Sequence, residues 1–144
     1  MEMGNTANTI VEDIQGATAV AVNELYGMEL DATNINVADT RKGMEGDYTV
    51  VVFPFTKAAG KKPEEVGEEL GAKIAAQNPS ISKYSVIKGF LNLSVSDEYW
   101  LGVLDAVAKA DDYGTSVSKN ERVVVEFASP NTNKPLHLGH IRNI

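Results

Sequence analysis

The sequence predicts an α+β fold, helices packed on a mostly antiparallel sheet, followed by the first strand of a doubly wound unit left incomplete. Three observations carry this. Apolar residues recur at helical spacing in three separate stretches. Between them stand short β-branched and aromatic runs bounded by glycine, asparagine or proline. From Arg122 the texture changes to a continuous apolar run, Arg-Val-Val-Val-Glu-Phe-Ala128, typical of a strand buried on both faces of a parallel sheet.

Taken in order, Ile10, Ile14, Ala17, Ala21 and Leu25 share one stripe between Thr6 and Tyr26, so a helix is expected there with Gly27 as its stop. Residues 33–37 read as a short strand, and Asp39 to Asp47, charged and holding Gly43 and Gly46, as a turn. Tyr48-Thr-Val-Val-Val-Phe53 reads as a buried strand. A second helix is expected from Pro63, because proline suits a first helical position and Glu64 and Glu65 favour the positive end of the dipole. Val66, Leu70 and Ile74 form its stripe and Asn78-Pro79 its end, while Gly67 and Gly71 either weaken it or permit close packing. Tyr84 to Lys88 and Phe90 to Val95 read as two strand segments, separated or bulged at Gly89. Ser96 suits an N-cap, and Trp100, Leu101, Leu104 and Val107 then supply the core side of a third helix.

Residues 1–112 are therefore expected to form one domain, 113–121 a polar linker containing Gly114, and 122–144 the start of a second domain. No apolar run approaches the roughly 20 residues needed to span a bilayer. The first residues lack the basic flank and apolar stretch of a secretory signal, and without cysteine no disulfide framework or thiolate zinc site is available. A reducing, cytoplasmic setting fits. With 20 acidic against 13 basic residues, the chain is not a generic nucleic-acid binder, so any RNA contact must be local or supported by positive surface elsewhere.

The chemistry concentrates in Ala128-Ser-Pro-Asn-Thr-Asn-Lys-Pro-Leu-His-Leu-Gly-His140, which holds both histidines of the chain. In a nucleotide-binding α/β unit the turn after the first strand lies at its carboxyl end, where a helix begins. Histidines in such a turn can donate to phosphate oxygens, and Gly139 lets a nucleotide approach the backbone. The pair also suits a plain helix cap, or two ligands of a metal site that would need further donors.

This strand, proline-containing turn and His-Leu-Gly-His resembles the first signature of class I aminoacyl-tRNA synthetases. The longer stretch from Glu126 to Asn143 resembles arginyl-tRNA synthetases in particular. The resemblance implies a Rossmann-type catalytic domain that converts arginine and ATP to an adenylate and then charges tRNA(Arg), with magnesium accompanying ATP. It implies catalytic roles for His137, His140 and Lys134, with His137, Gly139 and His140 at the ATP. It also places arginine against Glu126, Ser129 and Asn131, the carboxylate of Glu126 facing the guanidinium. Each of these last residues taken alone fits ordinary turn, edge or surface chemistry.

Upstream, Glu45-Gly46-Asp47-Tyr48 and Gly89-Phe90-Leu91-Asn92-Leu93 resemble the added N-terminal domain of that family, which contacts the tRNA elbow at the D-loop. Phe90 and Asn92 are thereby expected to meet an exposed base by stacking and an amide hydrogen bond. Phe90 alternates with Leu91, so one of the two is core. Lys57, Lys61 and Lys62 suit either a solvated turn or an RNA backbone contact. The chain is expected to be the N-terminal piece of a cytoplasmic, monomeric enzyme and to be inactive by itself. Two competing expectations are a tRNA-binding module only, and a nucleotidyltransferase with the same His-x-Gly-His.

Overall fold

Residues 6–126 and 133–142 are described in the computed structural model of the chain. The first helix forms as expected: α1 spans Thr6–Tyr26 and ends where the Gly27 N–H donates to Asn23 O at 2.8 Å. Its buried stripe is Ile10, Ile14, Thr18, Ala21 and Val22; Ala17 is half-buried and Leu25 is exposed, contrary to the expected stripe. Thr18 enters the core because its hydroxyl donates back to Ile14 O at 2.7 Å and so arrives already satisfied.

Asp31 then diverts the chain. Its carboxylate accepts from the Thr33 N–H (2.9 Å) and hydroxyl (2.8 Å), fixing a 3-10 turn at Ala32–Asn34. The strand expected at 33–37 is therefore displaced to β1, Val37–Asp39. The next strand, β2, covers Tyr48–Val51 and stops short of Phe53. Pro54 has no N–H for a ladder and starts helix α2, Phe53–Ala59, which the β-branched run had concealed. Helix α3, Pro63–Gln77, matches expectation, with the Glu65 carboxylate accepting from the Lys62 N–H at 3.3 Å. Strands β3, Ile81–Ile87, and β4, Phe90–Val95, form a hairpin. Lys88 and Gly89 carry φ of 50° and 77°, the left-handed pair that tight hairpin loops require. Gly89 is thus the turn itself, and the irregularity lies further back, between Ile81 and Lys83.

The strands form one antiparallel sheet in the order β1-β2-β4-β3. Side chains alternate across it, so Leu91, Leu93 and Val95 of β4 and Val50 of β2 join Ile10 and Ile14 of α1 and Val66, Leu70 and Ile74 of α3 in the core. Gly67 and Gly71 serve close packing. A Cβ at Gly67 would lie 2.6 Å from Val86 Cγ1, and one at Gly71 would enter the Tyr84 ring. The Tyr26 hydroxyl donates to Glu69 at 2.8 Å and ties α1 to α3. The opposite face of the sheet carries Thr49, Phe90, Asn92, Ser85 and Ile87.

Ser96 caps helix α4, Asp97–Lys109, by accepting from the Tyr99 N–H at 3.3 Å. The core role expected of its apolar stripe is not met. No α4 residue is buried, Trp100, Leu101 and Leu104 are exposed, and Tyr99 packs partly against the core instead. Helices α1 and α3 already fill the core side of the sheet, and an amphipathic period does not say which neighbour a helix finds.

The chain divides into two units, Met1–Tyr113 and Gly114–Ile144. In the second, residues 121–126 form no regular structure and Val124 is 90% exposed, so the strand expected from Arg122 is absent from its described part; Phe127 and Ala128 lie outside the described residues. A strand buried on both faces needs neighbours for its backbone groups, and the described residues supply none. Helix α5, Leu138–Arg142, follows the first histidine.

Two glycine substitutions should move stability in opposite directions. Gly16 on α1 has nothing within 4 Å of an added Cβ, so Gly16→Ala should raise stability by about 0.5–1 kcal/mol through helix propensity. Gly71→Ala should lower it by about 1–3 kcal/mol despite the same propensity gain, because the added methyl meets the Tyr84 ring. Urea denaturation of the two variants checks the contrast.

Candidate nucleic-acid interface and nucleotide site

The face of the sheet turned away from α1 and α3 is built from alternate residues of β2, β4 and β3. Thr49 of β2 pairs with Asn92 of β4, which pairs with Ser85 of β3; Val51, Phe90 and Ile87 form the next row. The Thr49 hydroxyl donates to Asn92 Oδ1 at 2.7 Å and lies 3.0 Å from the Thr40 hydroxyl. This fixes the amide with its carbonyl toward β2. Asn92 is only 1% exposed, and neither its Nδ2 nor Ser85 Oγ has a hydrogen-bond partner among the described residues.

What buries Asn92 is the connection between β1 and β2. The Thr40 N–H donates to Asp47 O at 2.9 Å and closes the base of this loop. Asp47 anchors it to β4, its N–H donating to Leu93 O and its carboxylate accepting from the Val95 N–H, both at 2.8 Å. Gly46 has φ 114°, and a Cβ there would lie 3.0 Å from the Asn92 Cβ, so bare backbone rests on the asparagine. Further along, Glu45 accepts from Lys83 of β3 at 2.6 Å. That hydrogen bond holds the Glu45 carboxyl below its ordinary range and raises the Lys83 ammonium. The loop thus straps across the sheet from β2 to β3.

Phe90 stands beside the strap. Its ring is half-buried, meets the exposed Phe53 ring edge to face at 5.8 Å, and lies 5.5 Å beneath the Arg41 guanidinium. Both rings border the hairpin turn, since Gly89 packs against Phe53 and Pro63. Lys88 in that turn, Lys62 before Pro63, Lys57 on α2 and Lys42 in the strap form no ion pair among the described residues, whereas Lys61 is paired with Glu69. Despite the overall charge of −7, Arg41, Lys88 in the turn and Lys62 beside Pro63 adjoin the two aromatic rings at the hairpin end of the sheet. Aromatic faces with cationic neighbours suit unstacked bases and phosphates.

The histidines form a second, separate constellation. His137 Nδ1 accepts from the Gly139 N–H at 3.1 Å, and His140 Nδ1 accepts from the His137 N–H at 3.1 Å. The two rings thereby cap α5 reciprocally, in the manner of a capping box, with centroids 4.0 Å apart. A Cβ at Gly139 would lie 2.9 Å from the His137 ring, so glycine gives that ring its place. With each Nδ1 serving as acceptor, a neutral imidazole carries its proton on Nε2 and presents that donor away from the helix. The cap reading and the donor reading of this pair are therefore compatible.

Of the other expected site residues, Glu126 and Lys134 are exposed and pair with no other described residue, while Ser129 and Asn131 lie outside the described residues. Sequence reasoning passed over Arg41, Thr49 and Ser85. Thr49 and Ser85 were legible in principle, since each alternates out of phase with core residues on its own strand.

Residues 8–95 match the family described as arginyl tRNA synthetase N terminal domain, and residues 102–144 match the class I (R) tRNA synthetase catalytic domain. The arginine–tRNA ligase of Parabacteroides distasonis is 39% identical over 136 residues, which is 93% of this chain. The chain belongs to the arginyl-tRNA synthetase family. The arginine–tRNA ligase of Bacteroides fragilis is 44% identical over 122 residues, covering 83% of the chain. The solved arginyl-tRNA synthetase of Thermus thermophilus covers 91% of the chain at 29% identity with a TM-score of 0.53. The chain spans 23% of the length of the Parabacteroides ligase, 20% of the Bacteroides ligase and 21% of the Thermus chain. In family terms, the outer sheet face lies within the N-terminal domain match and the histidine pair within the catalytic one.

Replacing Thr49 by valine keeps its shape but leaves the buried Asn92 Oδ1 unpaired. Thr49→Val should cost about 1–3 kcal/mol of stability by urea denaturation.

Proposed function

We propose that this chain supplies the tRNA-elbow domain (residues 1–112), a linker (113–121) and the opening of the ATP site (122–144) of an arginine–tRNA ligase. The observation that carries this reading is the order of the two family matches on one chain, N-terminal domain then class I catalytic domain. In the complete reaction an arginine carboxylate oxygen bonds to the ATP α-phosphorus, the bridging oxygen bond breaks and pyrophosphate leaves. A tRNA(Arg) terminal hydroxyl then takes the arginyl group from the adenylate, releasing AMP.

The histidine geometry suits the first step. Backbone donors occupy both Nδ1 atoms, so His137 and His140 offer Nε2–H groups to the oxygens of the α-phosphate as its negative charge builds. Fixed rings lose little order on meeting the nucleotide. Gly139 gives the His137 ring its place beside the ATP, and Lys134 adds a cation before the pair. Glu126 would take the guanidinium of arginine, and Ser129 and Asn131 its amino end. Magnesium prefers oxygen ligands, and the described residues hold no group of three carboxylate or histidine side chains able to share an ion. Magnesium accompanying ATP would supply charge neutralisation at the phosphates.

At the other constellation, a D-loop base stacks on Phe90 in place of the Arg41 guanidinium, and Asn92 hydrogen-bonds to the base. The unpaired lysines at the hairpin end take phosphates, which answers the acidic composition locally. A cytoplasmic, monomeric enzyme fits; no helix among the described residues is long and apolar enough to cross a membrane. Alone, the chain acts as a tRNA-binding module, because residues of a doubly wound site come from several strands.

In a ligase carrying this segment, His137→Ala with His140→Ala should lower arginine-dependent ATP–pyrophosphate exchange by about a hundredfold or more; unchanged exchange would refute the phosphate role. The 144-residue chain should show no aminoacylation, and measurable turnover would overturn the module reading. Phe90→Ala should weaken its binding of a tRNA(Arg) transcript by about tenfold, as loss of one stacked base implies.

A further inference from the structure

The outer sheet face holds more recognition chemistry than one ring and one amide. Asn92 Nδ2 and Ser85 Oγ are both shielded from solvent and both lack a partner among the described residues, on facing positions of adjacent strands. Leaving two such groups unpaired opposes folding, and a hydrophobic or self-satisfied pair would serve a plain sheet better. The Thr49 hydrogen bond fixes which end of the Asn92 amide is left over, namely the donor. Among the described residues the strap rests on Asn92 through the bare backbone of Gly46 and is latched by the solvent-exposed Glu45–Lys83 pair.

We infer that Ser85 Oγ and Asn92 Nδ2 together read the hydrogen-bonding edge of an unstacked RNA base, and that the Arg41–Gly46 strap is a cover that lifts to admit it. This rests on the tRNA-elbow reading of the same face and adds to it a second reading group and a moving part. Phe90 offers the stacking surface at the edge of the cover, while the edge-reading atoms lie beneath it. A base that stacks first on Phe90 displaces the Arg41 guanidinium 5.5 Å away, and the strap leaves with it. The latch is weak enough to permit this, since exposed ion pairs contribute little. Thr49 acts as a positioning residue, orienting the amide without touching the base.

The test uses the 144-residue chain and a tRNA(Arg) transcript, read by equilibrium binding and by thermal denaturation, with a second transcript whose D-loop nucleotides are abasic. Ser85→Ala should leave Tm unchanged or raised, because it removes an unpaired buried hydroxyl, yet weaken binding of the intact transcript by about fivefold or more and leave the abasic one unaffected. Glu45→Gln, which frees the strap, should tighten binding by about two- to fivefold. Asp105→Asn on α4 makes the same charge change and should leave affinity where it was. Wild-type binding by Ser85→Ala, with Phe90→Ala impaired, would overturn the second reading group and leave the elbow reading standing. Equal affinities for Glu45→Gln and Asp105→Asn would overturn the moving cover. Wild-type binding by Phe90→Ala as well would overturn the elbow reading itself.

Discussion

The register of β4 between β2 and β3 is the constraint on which the rest depends. With Leu91 opposite Val50 and Val86, one set of side chains enters the core; Asn92, opposite Thr49 and Ser85, heads the other. A slip of one residue would exchange the two sets, putting an asparagine among the helices and leucines against the strap. Register is held on the core side by shape. Gly67 and Gly71 bring α3 down until Val86 and Tyr84 fill the space that side chains would have taken. On the outer side it is held by polarity, through Thr49, Asn92 and the anchoring of Asp47 to β4. The same strand is therefore structural on one face and available for recognition on the other.

The two faces differ in how fully they are satisfied. On the core side, the fully buried Thr18 hydroxyl is paired within its own helix. The outer face buries an amide whose donor is unpaired among the described residues, under a strap anchored at Asp47 and held at its β3 side by an exposed ion pair. Natural folds keep unpaired buried polar groups few, and those that remain concentrate where a ligand completes them. The histidine pair follows a milder version of the same logic. Its Nδ1 atoms are satisfied by the backbone of α5, while each Nε2 is left to face outward.

Much of this was legible before the fold was known, for identifiable reasons. Helices α1 and α3 announced themselves because their apolar period and their punctuation at Gly27 and Pro63 agreed. The His-Leu-Gly-His stretch was legible because its context extends back to Glu126, and the family matches bear out the resemblance drawn from it. Misreadings arose where a local hydrogen bond or a missing neighbour outweighed periodicity. Asp31 capped a turn within an apparent strand, and Pro54 turned the end of a β-branched run into a helix. Trp100, Leu101 and Leu104 had a helical period but no core left to face, and Val123 to Val125 had strand composition without a neighbouring strand. The strap was read as a charged turn whose end, Glu45 to Asp47, belongs to a family motif; its path back over Asn92 was not legible, because nothing in its composition shows that fold.

Recognition of RNA by the outer face, with the core face serving only to hold it, is tested most directly by backbone and side-chain amide NMR of the 144-residue chain during titration with tRNA(Arg). Shifts should concentrate at Arg41 to Gly46, Ser85, Lys88, Phe90 and the Asn92 side-chain amide, while α1 and the glycine face of α3 stay unchanged. Perturbations centred instead on α1, or on the exposed stripe of α4, with the Asn92 amide unmoved, would contradict it.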